Sequence, residues 1–221
     1  MCGKFTQMVG WAELLALAEI AAAPDSAIEA ITPMRFASVI RRSENGVREA
    51  ARMRWGLVPA WENDPQMGTR HIHARAETID TKRTFRDAFA QRRGLVVVHS
   101  FNEGREITPT KTEQHIITPK DGAPLAIAVI WERWTGRDES VLLSFAMVTV
   151  AANKLIGTIT DRMPAVIAPS HWPKWLGEMP AGVEELKAML GPVEGDWDMQ
   201  PAAKARPAKP PKPQPAQREL F

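Results

Sequence analysis

VREAARMRWGLVPAW occupies residues 47–61 and gives the clearest structural signal in the chain. Residues 47–57 alternate between apolar and mostly polar side chains, a pattern typical of a β-strand with one buried face. The apolar side consists of Val47, Ala51, Met53, Trp55 and Leu57. Pro59 follows and predicts a turn directly after the strand. This stretch therefore predicts a half-buried strand that belongs to a sheet-based domain.

Other segments around this strand predict a mixture of strands and short helices. Apolar, β-branched or alternating patterns predict strands or extended segments at residues 70–78, 94–98, 114–118, 126–131 and 141–150. Helical spacing of apolar residues predicts helices at residues 11–22, 81–91 and 183–190. The two kinds of element do not alternate regularly. We therefore predict one α+β domain, residues 2–195, built on a mixed or antiparallel, barrel-like β-sheet with a few short helices.

Length and composition agree with one globular domain in a reducing compartment. The chain has 221 residues, 44% of them hydrophobic, which is enough for a sizeable core. The absence of any run of about 18 apolar residues predicts no membrane span, and no export signal is recognisable. Cys2 is the only cysteine, so no internal disulfide can form. We expect a cytoplasmic, monomeric protein.

The positive charge of the chain is concentrated in two regions. In the first, residues 35–93 hold thirteen Lys and Arg residues against seven Asp and Glu, whereas the whole chain has a net charge of +2. Twelve of the thirteen are Arg, whose planar guanidinium suits bidentate phosphate contacts. This region is either a surface for a nucleic-acid backbone or a solvated face that nearby acids balance.

The second basic region is the carboxyl-terminal tail. Residues 196–216 are rich in Pro, Lys and Ala and predict a disordered linker. The tail ends in Leu220 and Phe221, two large apolar residues, and Gln217 precedes them. Residues 217–221 resemble the short peptide with which bacterial proteins dock on the replicative sliding clamp, and the alternative is a chain end without function. We therefore expect Gln217, Leu220 and Phe221 to bind this partner.

Cys2 has a chemistry of its own if Met1 is removed, as is expected when the second residue is small. The new terminal cysteine then carries an α-amine and a thiol on adjacent carbons. The amine condenses with an aldehyde to an imine, and the thiol closes onto the imine carbon to give a five-membered thiazolidine. Both groups are usable near neutral pH, since free α-amines titrate at about 7.7–8.0 and free thiols at about 8.5. The alternative is a cysteine at an inert chain end.

Several short blocks follow one another along the chain. They are Cys2-Gly3-Lys4-Phe5, Trp55-Gly56-Leu57-Val58-Pro59-Ala60-Trp61, Ala74-Arg75-Ala76-Glu77-Thr78, Phe101-Asn102-Glu103, Ile130-Trp131-Glu132, Thr149-Val150-Ala151-Ala152-Asn153 and Asp161-Arg162-Met163-Pro164. Their order and spacing, over roughly residues 2–175, resemble the SOS response-associated peptidase (SRAP) family. Each block alone is a weak signal, and the series is specific.

The resemblance implies a role in the DNA damage and SOS responses. Members of the SRAP family bind single-stranded DNA and junctions between single-stranded and double-stranded DNA. Their terminal cysteine forms a thiazolidine with the ring-opened aldehyde of an abasic site, and the resulting DNA–protein crosslink shields the lesion. The same cysteine removes the initiator methionine, which explains the word peptidase. By resemblance, we expect a nucleoid-associated protein that crosslinks to abasic sites without any cofactor.

The family's site residues carry over unevenly onto this sequence. Cys2 and Glu103 match the nucleophile and the acid–base carboxylate of the family. Lys4 stands where the family has Arg, which keeps the positive charge. His73 stands where the family has Asn. Thr160 stands where the family has His, although a hydroxyl cannot exchange a proton at neutral pH.

The changes at positions 73 and 160 have two explanations. In the first, they are a role exchange, in which His73 supplies the imidazole and Thr160 takes the vacated place. Both then join Cys2 and Glu103 as catalytic residues. In the second, they are drift in a non-catalytic paralogue that binds DNA or the clamp but no longer crosslinks. We favour retained crosslinking because Cys2 and Glu103 both persist.

Further candidates contact DNA rather than react with it. Trp55 lies on the buried side of its strand, whereas Trp61 is a candidate for stacking on a base. His71 and His73 share one face of a strand but lack further ligands for zinc, so we expect no metal. The candidates for phosphate contacts are all basic residues near the blocks: Lys4, Arg75, Arg83, Arg86 and Arg162.

Overall fold

The computed structural model of the protein describes residues 2–7 and 29–202. These residues form a closed, five-stranded mixed barrel and a second, five-stranded antiparallel sheet, together with a few short helices. The α+β class and the barrel-like sheet predicted from the sequence are therefore confirmed.

The described residues contain twelve strands. The strands are β1 (Lys4–Gln7), β2 (Glu29–Ile31), β3 (Phe36–Arg42), β4 (Arg48–Trp55), β5 (His73–Arg75), β6 (Arg93–Val98), β7 (Ser100–Thr108), β8 (Lys111–Pro119), β9 (Leu125–Thr135), β10 (Val141–Ala151), β11 (Arg162–Pro164) and β12 (Trp197–Pro201). The α-helices are α1 (Arg86–Gln91), α2 (Trp172–Trp175) and α3 (Val183–Ala188). Single turns of 3-10 helix occur at Pro65–Arg70, Ala76–Thr78, Ile156–Thr158 and Pro169–His171.

The barrel is built from β10, β4, β3, β6 and β9, and it closes because β9 pairs again with β10. The β10–β4 contact is parallel and the other contacts around the ring are antiparallel. β6 reads as an uninterrupted apolar run because both of its faces are covered: Leu95, Val96, Val97 and Val98 are all buried. Closure leaves these strands without a free edge.

The second sheet has the order β12-β8-β7-β1-β2 and ties the start of the chain into the fold. β1 pairs antiparallel with β7, with Lys4 opposite Asn102 and Phe5 opposite Phe101. Both phenylalanines are fully buried, and each contributes about 1.5–3 kcal/mol by leaving water. The residues just before β1 therefore lie beside the first half of β7.

Residues 47–61 contain the strand and the turn that their sequence predicts. The indole of Trp55, at the end of β4, is fully buried and donates from Nε1 to the carbonyl of Ile72 at 2.8 Å. It also packs on Phe5, with 5.1 Å between ring centroids. Gly56 follows with a φ of 132°, and a Cβ there would lie 2.8 Å from the carbonyl oxygen of Gly68. Glycine alone fits this turn, which supports the segment that leads into β5.

Three boundaries predicted from the sequence are wrong. Val47 is exposed because β4 begins one residue later. The helix predicted from residue 81 begins only at Arg86. The linker predicted from residue 196 starts too early, because Trp197–Pro201 forms β12 and pairs with β8. Trp197 packs against Phe101, with 6.2 Å between ring centroids, so burial of this indole extends the folded domain.

Some predicted features lie outside the described residues. These are the helix at residues 11–22 and the part of the tail from residue 203 onward, which includes Gln217, Leu220 and Phe221. Among the described residues, no helix has both the length and the apolar character needed to cross a membrane.

Candidate active site

The pairing of β1 with β7 brings Cys2 close to Glu103. Continuing the register of that pair by one residue places Gly3 opposite Glu103. Both functional side chains are almost completely buried, each with 1% of its surface exposed. The thiol of Cys2 donates to the carbonyl oxygen of Lys4 at 3.4 Å, which turns the side chain back toward the sheet. The two predicted reactive residues therefore share one site.

Burial changes the acid–base behaviour of both groups. It raises the pKa of Glu103 from 4.5 to about 7, and the nearby backbone amides of Cys2 and Gly104 oppose part of this change. Burial, and next the negative charge of Glu103, raise the pKa of the Cys2 thiol far above its ordinary value. At neutral pH the site holds a protonated thiol beside a carboxyl group that readily accepts or releases a proton.

His73 is the third predicted catalytic residue at this site. β5 pairs in parallel with β10, with His73 opposite Met147, and the imidazole meets the edge of Trp55 at a centroid distance of 5.9 Å. Burial lowers the pKa of His73 to about 4, although a backbone hydrogen bond with Cys2 opposes the change. Its Nε2 is buried and has no hydrogen-bond partner within residues 2–7 and 29–202. His73 is therefore neutral at pH 7 and suited to hydrogen bonding rather than to proton exchange.

A basic cavity opens beside His73. It has a volume of about 210 Å³ and is lined by Arg70, Ile72, His73, Arg75, Thr78, Lys82 and Phe85. The side chains of Arg70, Arg75 and Lys82 are exposed to solvent, and Lys82 lies over the ring of Phe85, 5.3 Å from its centroid. Three positive charges around the opening create a positive electrostatic potential, which attracts anionic groups such as phosphates.

Arg70 and Lys82 are not among the residues predicted from the sequence, which does not distinguish them from the other basic residues of this region. The only sequence signal that includes them is the excess of positive charge in residues 35–93. Arg75 lines the same cavity, and its predicted contact with DNA stays a prediction.

Trp61 lies on the surface, with 51% of its area exposed, and the guanidinium of Arg83 stacks over its ring at 4.8 Å. Arg86 and Lys4 are also exposed, and Arg86 makes only a 3.4 Å contact with its neighbour Asp87. Exposed aromatic and cationic groups of this kind stack on bases and bind phosphates in proteins that hold single strands. These four positions remain candidates for DNA contacts.

Arg162 is placed differently from the exposed phosphate contact that the sequence predicts. It is only 9% exposed, and it donates to both carboxylate oxygens of Glu77, at 2.6 and 2.9 Å. It also donates to the carbonyl oxygen of Thr149 at 2.6 Å. These bonds connect β11 and β10 to the 3-10 helix that follows β5, and they lower the pKa of Glu77. Arg162 therefore supports the segment that carries His73 and Arg75.

Thr160 follows the 3-10 helix Ile156–Thr158, and its amide donates to the carbonyl oxygen of Ile156 at 3.0 Å. In the described part of the chain, no hydrogen bond joins its hydroxyl to Cys2, Glu103 or His73. The predicted role exchange between positions 73 and 160 therefore stays a prediction: the imidazole of His73 lies at the site, but its lowered pKa does not suit proton exchange at neutral pH.

His71 does not form a ligand pair with its neighbour. Its Nδ1 lies 3.3 Å from the carbonyl oxygen of Leu57, and burial lowers its pKa. Over residues 2–7 and 29–202, no group of three or more His, Cys, Asp or Glu side chains is arranged to hold a metal ion.

The site thus combines a cysteine near the start of the sequence with a buried carboxyl group. Both are held by the sheet that accompanies the β-barrel. The sequence model of the SOS response associated peptidase (SRAP) family matches residues 1–205, and the chain belongs to this family.

Individual relatives agree with this family, and a solved structure has a similar fold. Abasic site processing protein YoqW of Bacillus subtilis is 30% identical over 145 residues, which cover 66% of this chain and 65% of YoqW. Abasic site processing protein HMCES of Pongo abelii is 28% identical over 188 residues, which cover 70% of this chain and 52% of HMCES. The chain thus spans about two thirds of YoqW and half of HMCES. A crystal structure of a Bacteroides thetaiotaomicron protein matches 92% of this chain and 93% of its own, with a TM-score of 0.80 and 21% identity, and it shares the fold.

Proposed function

We propose that this protein processes abasic sites in DNA, and that it does so by covalent attachment to Cys2. The observation that carries the proposal is the convergence of Cys2, Glu103 and His73 beside a cavity lined by cationic side chains. The names of the relatives, which are abasic site processing proteins, support the substrate class. The proposed substrate is an abasic sugar in single-stranded DNA.

The proposed reaction requires that Cys2 carry a free α-amine. This amine adds to the C1′ aldehyde of the ring-opened sugar and gives a carbinolamine. Loss of one water leaves an imine, and Cys2 Sγ then adds to the imine carbon. Because Glu103 supplies the proton with which the hydroxyl leaves, the nitrogen keeps its own proton, and the proton of the thiol passes to Glu103 as the ring closes to the thiazolidine. One C–N bond and one C–S bond form, one C=O bond is lost, and one water leaves for each crosslink.

Glu103 moves the protons in this sequence. With a pKa of about 7, its carboxyl group can protonate the departing hydroxyl of the carbinolamine and then accept the proton of the thiol. Such a base is needed because burial keeps the thiol protonated, and the thiolate is the nucleophile. His73, neutral at pH 7, holds the sugar or an intermediate by hydrogen bonding through its unpartnered Nε2.

The basic cavity and the exposed indole hold the DNA strand in the proposed complex. Arg70, Arg75 and Lys82 neutralise phosphates near the lesion, and Trp61 provides a stacking surface for a neighbouring base. Arg and Lys contacts to the backbone carry no sequence information, so we expect the protein to bind abasic strands of any sequence.

The direct test uses single-stranded DNA that carries one abasic site. Protein whose terminus at Cys2 has been confirmed by intact mass is incubated with this DNA, without a reductant, and separated by denaturing electrophoresis. We expect a covalent adduct whose mass equals protein plus DNA minus one water. Reversible binding without an adduct would contradict the proposed chemistry and leave a DNA-binding protein.

A pair of substitutions at position 73 tests whether the imidazole exchanges protons. We expect His73→Asn, which keeps hydrogen bonding, to crosslink within about threefold of the wild-type rate. His73→Ala should be slower by about 10- to 100-fold, the effect of losing one hydrogen bond to a polar or charged group. Single-turnover rates at pH 7 measure both. A wild-type rate in His73→Ala would remove His73 from the site, and equal losses in both variants would assign it a proton-transfer role.

A triple substitution tests the cavity as a phosphate site. Changing Arg70, Arg75 and Lys82 to glutamine should weaken reversible binding of single-stranded DNA. Because each phosphate contact contributes about 0.7 to the slope of log K against log salt, the slope should fall by about 2.

The matched control for this triple substitution changes three exposed arginines outside the cavity, Arg52, Arg133 and Arg137, to glutamine. Both triple variants lose the same net charge. Equal loss of affinity in both would mean that overall charge, rather than the cavity, binds the DNA. Fluorescence anisotropy at several salt concentrations separates the two outcomes.

A further inference from the structure

His115 is a buried histidine to which the proposed chemistry gives no task. It lies on β8 with only 8% of its surface exposed, and its Nδ1 is buried without a hydrogen-bond partner in the described part of the chain. Its Nε2 lies 3.9 Å from Oε2 of Glu113. A buried polar atom without a partner costs stability, so its presence needs an explanation.

The register of β7 and β8 provides an explanation for the buried His115. Glu103 is directly opposite His115, just as Phe101 is directly opposite Ile117. Side chains of directly opposite residues lie on the same face of an antiparallel pair, with Cβ atoms about 4.5–5.5 Å apart. His115 is therefore the nearest cross-strand neighbour that β8 offers to the carboxyl group of the active site.

Burial falls step by step along this face. Phe101 and Ile117 are fully buried, Glu103 and His115 are next, and the following pair, Arg105 and Glu113, is exposed. The face thus runs from the core through the active-site carboxyl to solvent. β12, which packs on the other edge of β8, places Pro201 opposite His115 and Met199 opposite Ile117, and neither carries a charge. On this face of β7 and β8 the titratable and charged groups besides Glu103 and His115 are Arg105, Glu113 and Lys111, and the Cys2 thiol, which precedes β1, also interacts with Glu103.

We propose that His115 is a positioning residue for Glu103, and that it exchanges the proton of Glu103 with solvent by way of Glu113. The inference rests on the proposed function, because the exchange matters only if Glu103 must change its protonation state. In each exchange one imidazole nitrogen takes the proton of the Glu103 carboxyl group, and the other nitrogen releases a proton to Glu113 or to water. Charge is conserved, and the imidazole returns to its neutral form when the proton comes back.

Thiazolidine formation makes such an exchange useful. Glu103 must hold a proton before the hydroxyl of the carbinolamine can leave, and a carboxyl group that is 1% exposed has little direct contact with the water that would supply this proton. Thr160, which stands at the family's histidine position, cannot carry a proton at neutral pH. An imidazole can, because its ordinary pKa lies near 6.5. Transfer requires approach to hydrogen-bond distance, directly or through one water, which commonly occurs only when substrate is bound.

The pH dependence of crosslinking tests the inference against a purely structural role. His115→Gln removes the imidazole and keeps a polar side chain, and His171→Gln is the same change at an exposed histidine in the 3-10 helix Pro169–His171. Without the imidazole that takes its proton, the Glu103 carboxyl group should ionise at higher pH, so the acidic limb of the pH–rate profile should move up by about one pH unit, a tenfold loss of rate below it. His171→Gln should give the wild-type profile. A His115→Gln profile that superimposes on wild type would overturn the inference.

A second measurement does not depend on crosslinking. The titration of the Glu103 side-chain carbon, followed by carbon-13 NMR and assigned with Glu103→Gln, should also move to higher pH in His115→Gln. Glu113→Gln changes an exposed side chain and does not disturb the core. It should move the titration of the Glu103 side-chain carbon in the same direction, but by less. No movement in either variant would overturn the inference even if the wild-type protein crosslinks. A movement in a protein that does not crosslink would support the Glu103–His115 coupling and contradict the proposed function alone.

Discussion

Replacing Cys2 with alanine is expected to abolish the covalent adduct with abasic-site DNA while leaving reversible binding of the same DNA within roughly twofold, since phosphate contacts dominate affinity. Alanine keeps the α-amine but lacks the sulfur that closes the five-membered ring. An imine can still form, but it hydrolyses, so no adduct should survive denaturing electrophoresis unless borohydride traps it. The borohydride lane therefore separates loss of ring closure from loss of substrate binding.

The control for this substitution is the stability of the variant. Cys2 is almost fully buried, and removing one buried heavy atom costs about 1 kcal/mol. A thermal melt should therefore show a folded protein with a slightly lower midpoint. A reductant-free adduct in Cys2→Ala that is as stable as the wild-type adduct would contradict the proposed nucleophile and would point to a different amine or thiol chemistry.

Replacing Glu103 with glutamine should lower the crosslinking rate by about 10²- to 10⁴-fold, the usual contribution of a general acid–base group. The wild-type rate should rise with pH through about 7, because that is where Glu103 loses its proton. The variant has no titrating carboxyl group at this position, so its rate should not change at that pH. Rates from pH 5 to 9 measure both effects. A pH profile of the variant that keeps the wild-type limb would assign the limb to another group.

The same substitution should stabilise the protein at high pH. Because the pKa of Glu103 is about 7 when folded and about 4.5 when unfolded, the folded state binds more protons between these values, and stability falls as pH rises through this window. Above the window the ionised carboxylate costs up to about 3 kcal/mol, and glutamine avoids this cost. Urea denaturation should therefore find Glu103→Gln more stable than wild type at pH 8 and nearly equal to it below pH 4.5. A constant difference across pH would contradict the raised pKa.

Activity and stability thus change in opposite directions at Glu103. A substitution that only damaged the fold would lower both. The combination of a slower reaction and a more stable protein is the result expected when a buried charge is kept for chemistry and not for folding.

The sequence predicts the fold class and four of the five barrel strands, β4, β6, β9 and β10, because these strands consist of apolar runs or strict alternation. It does not predict β1 or β7. β7 combines buried Phe101 and Glu103 with an exposed polar half, so its pattern changes along its length. β12 was included in the linker because a single indole, Trp197, determines its burial. An element that is held in place by only one or two long-range contacts shows no clear periodicity of apolar residues in its own sequence.

The site was partly predictable for a similar reason. Cys2 and Glu103 lie in family blocks and His73 directly precedes one, and the structure brings the three together. Arg162 belongs to a block as well, but sequence cannot tell whether an arginine faces DNA or, as here, pairs with a carboxylate of the protein such as Glu77. His115 lies in no block, and its position opposite Glu103 depends on the register of β7 and β8. Register is set by the whole sheet and is not visible in either strand alone.

The pairing of Lys4 with Asn102 also has a consequence for the order of events during synthesis. β1 leaves the ribosome well before β7, and at about 5–20 residues per second its partner follows some 5–20 seconds later. During that interval Cys2 lacks the strand that buries it. An enzyme that removes the residue before Cys2 can therefore reach it for several seconds. Once β7 has emerged and paired with β1, Cys2 is buried and cleavage by such an enzyme is hindered.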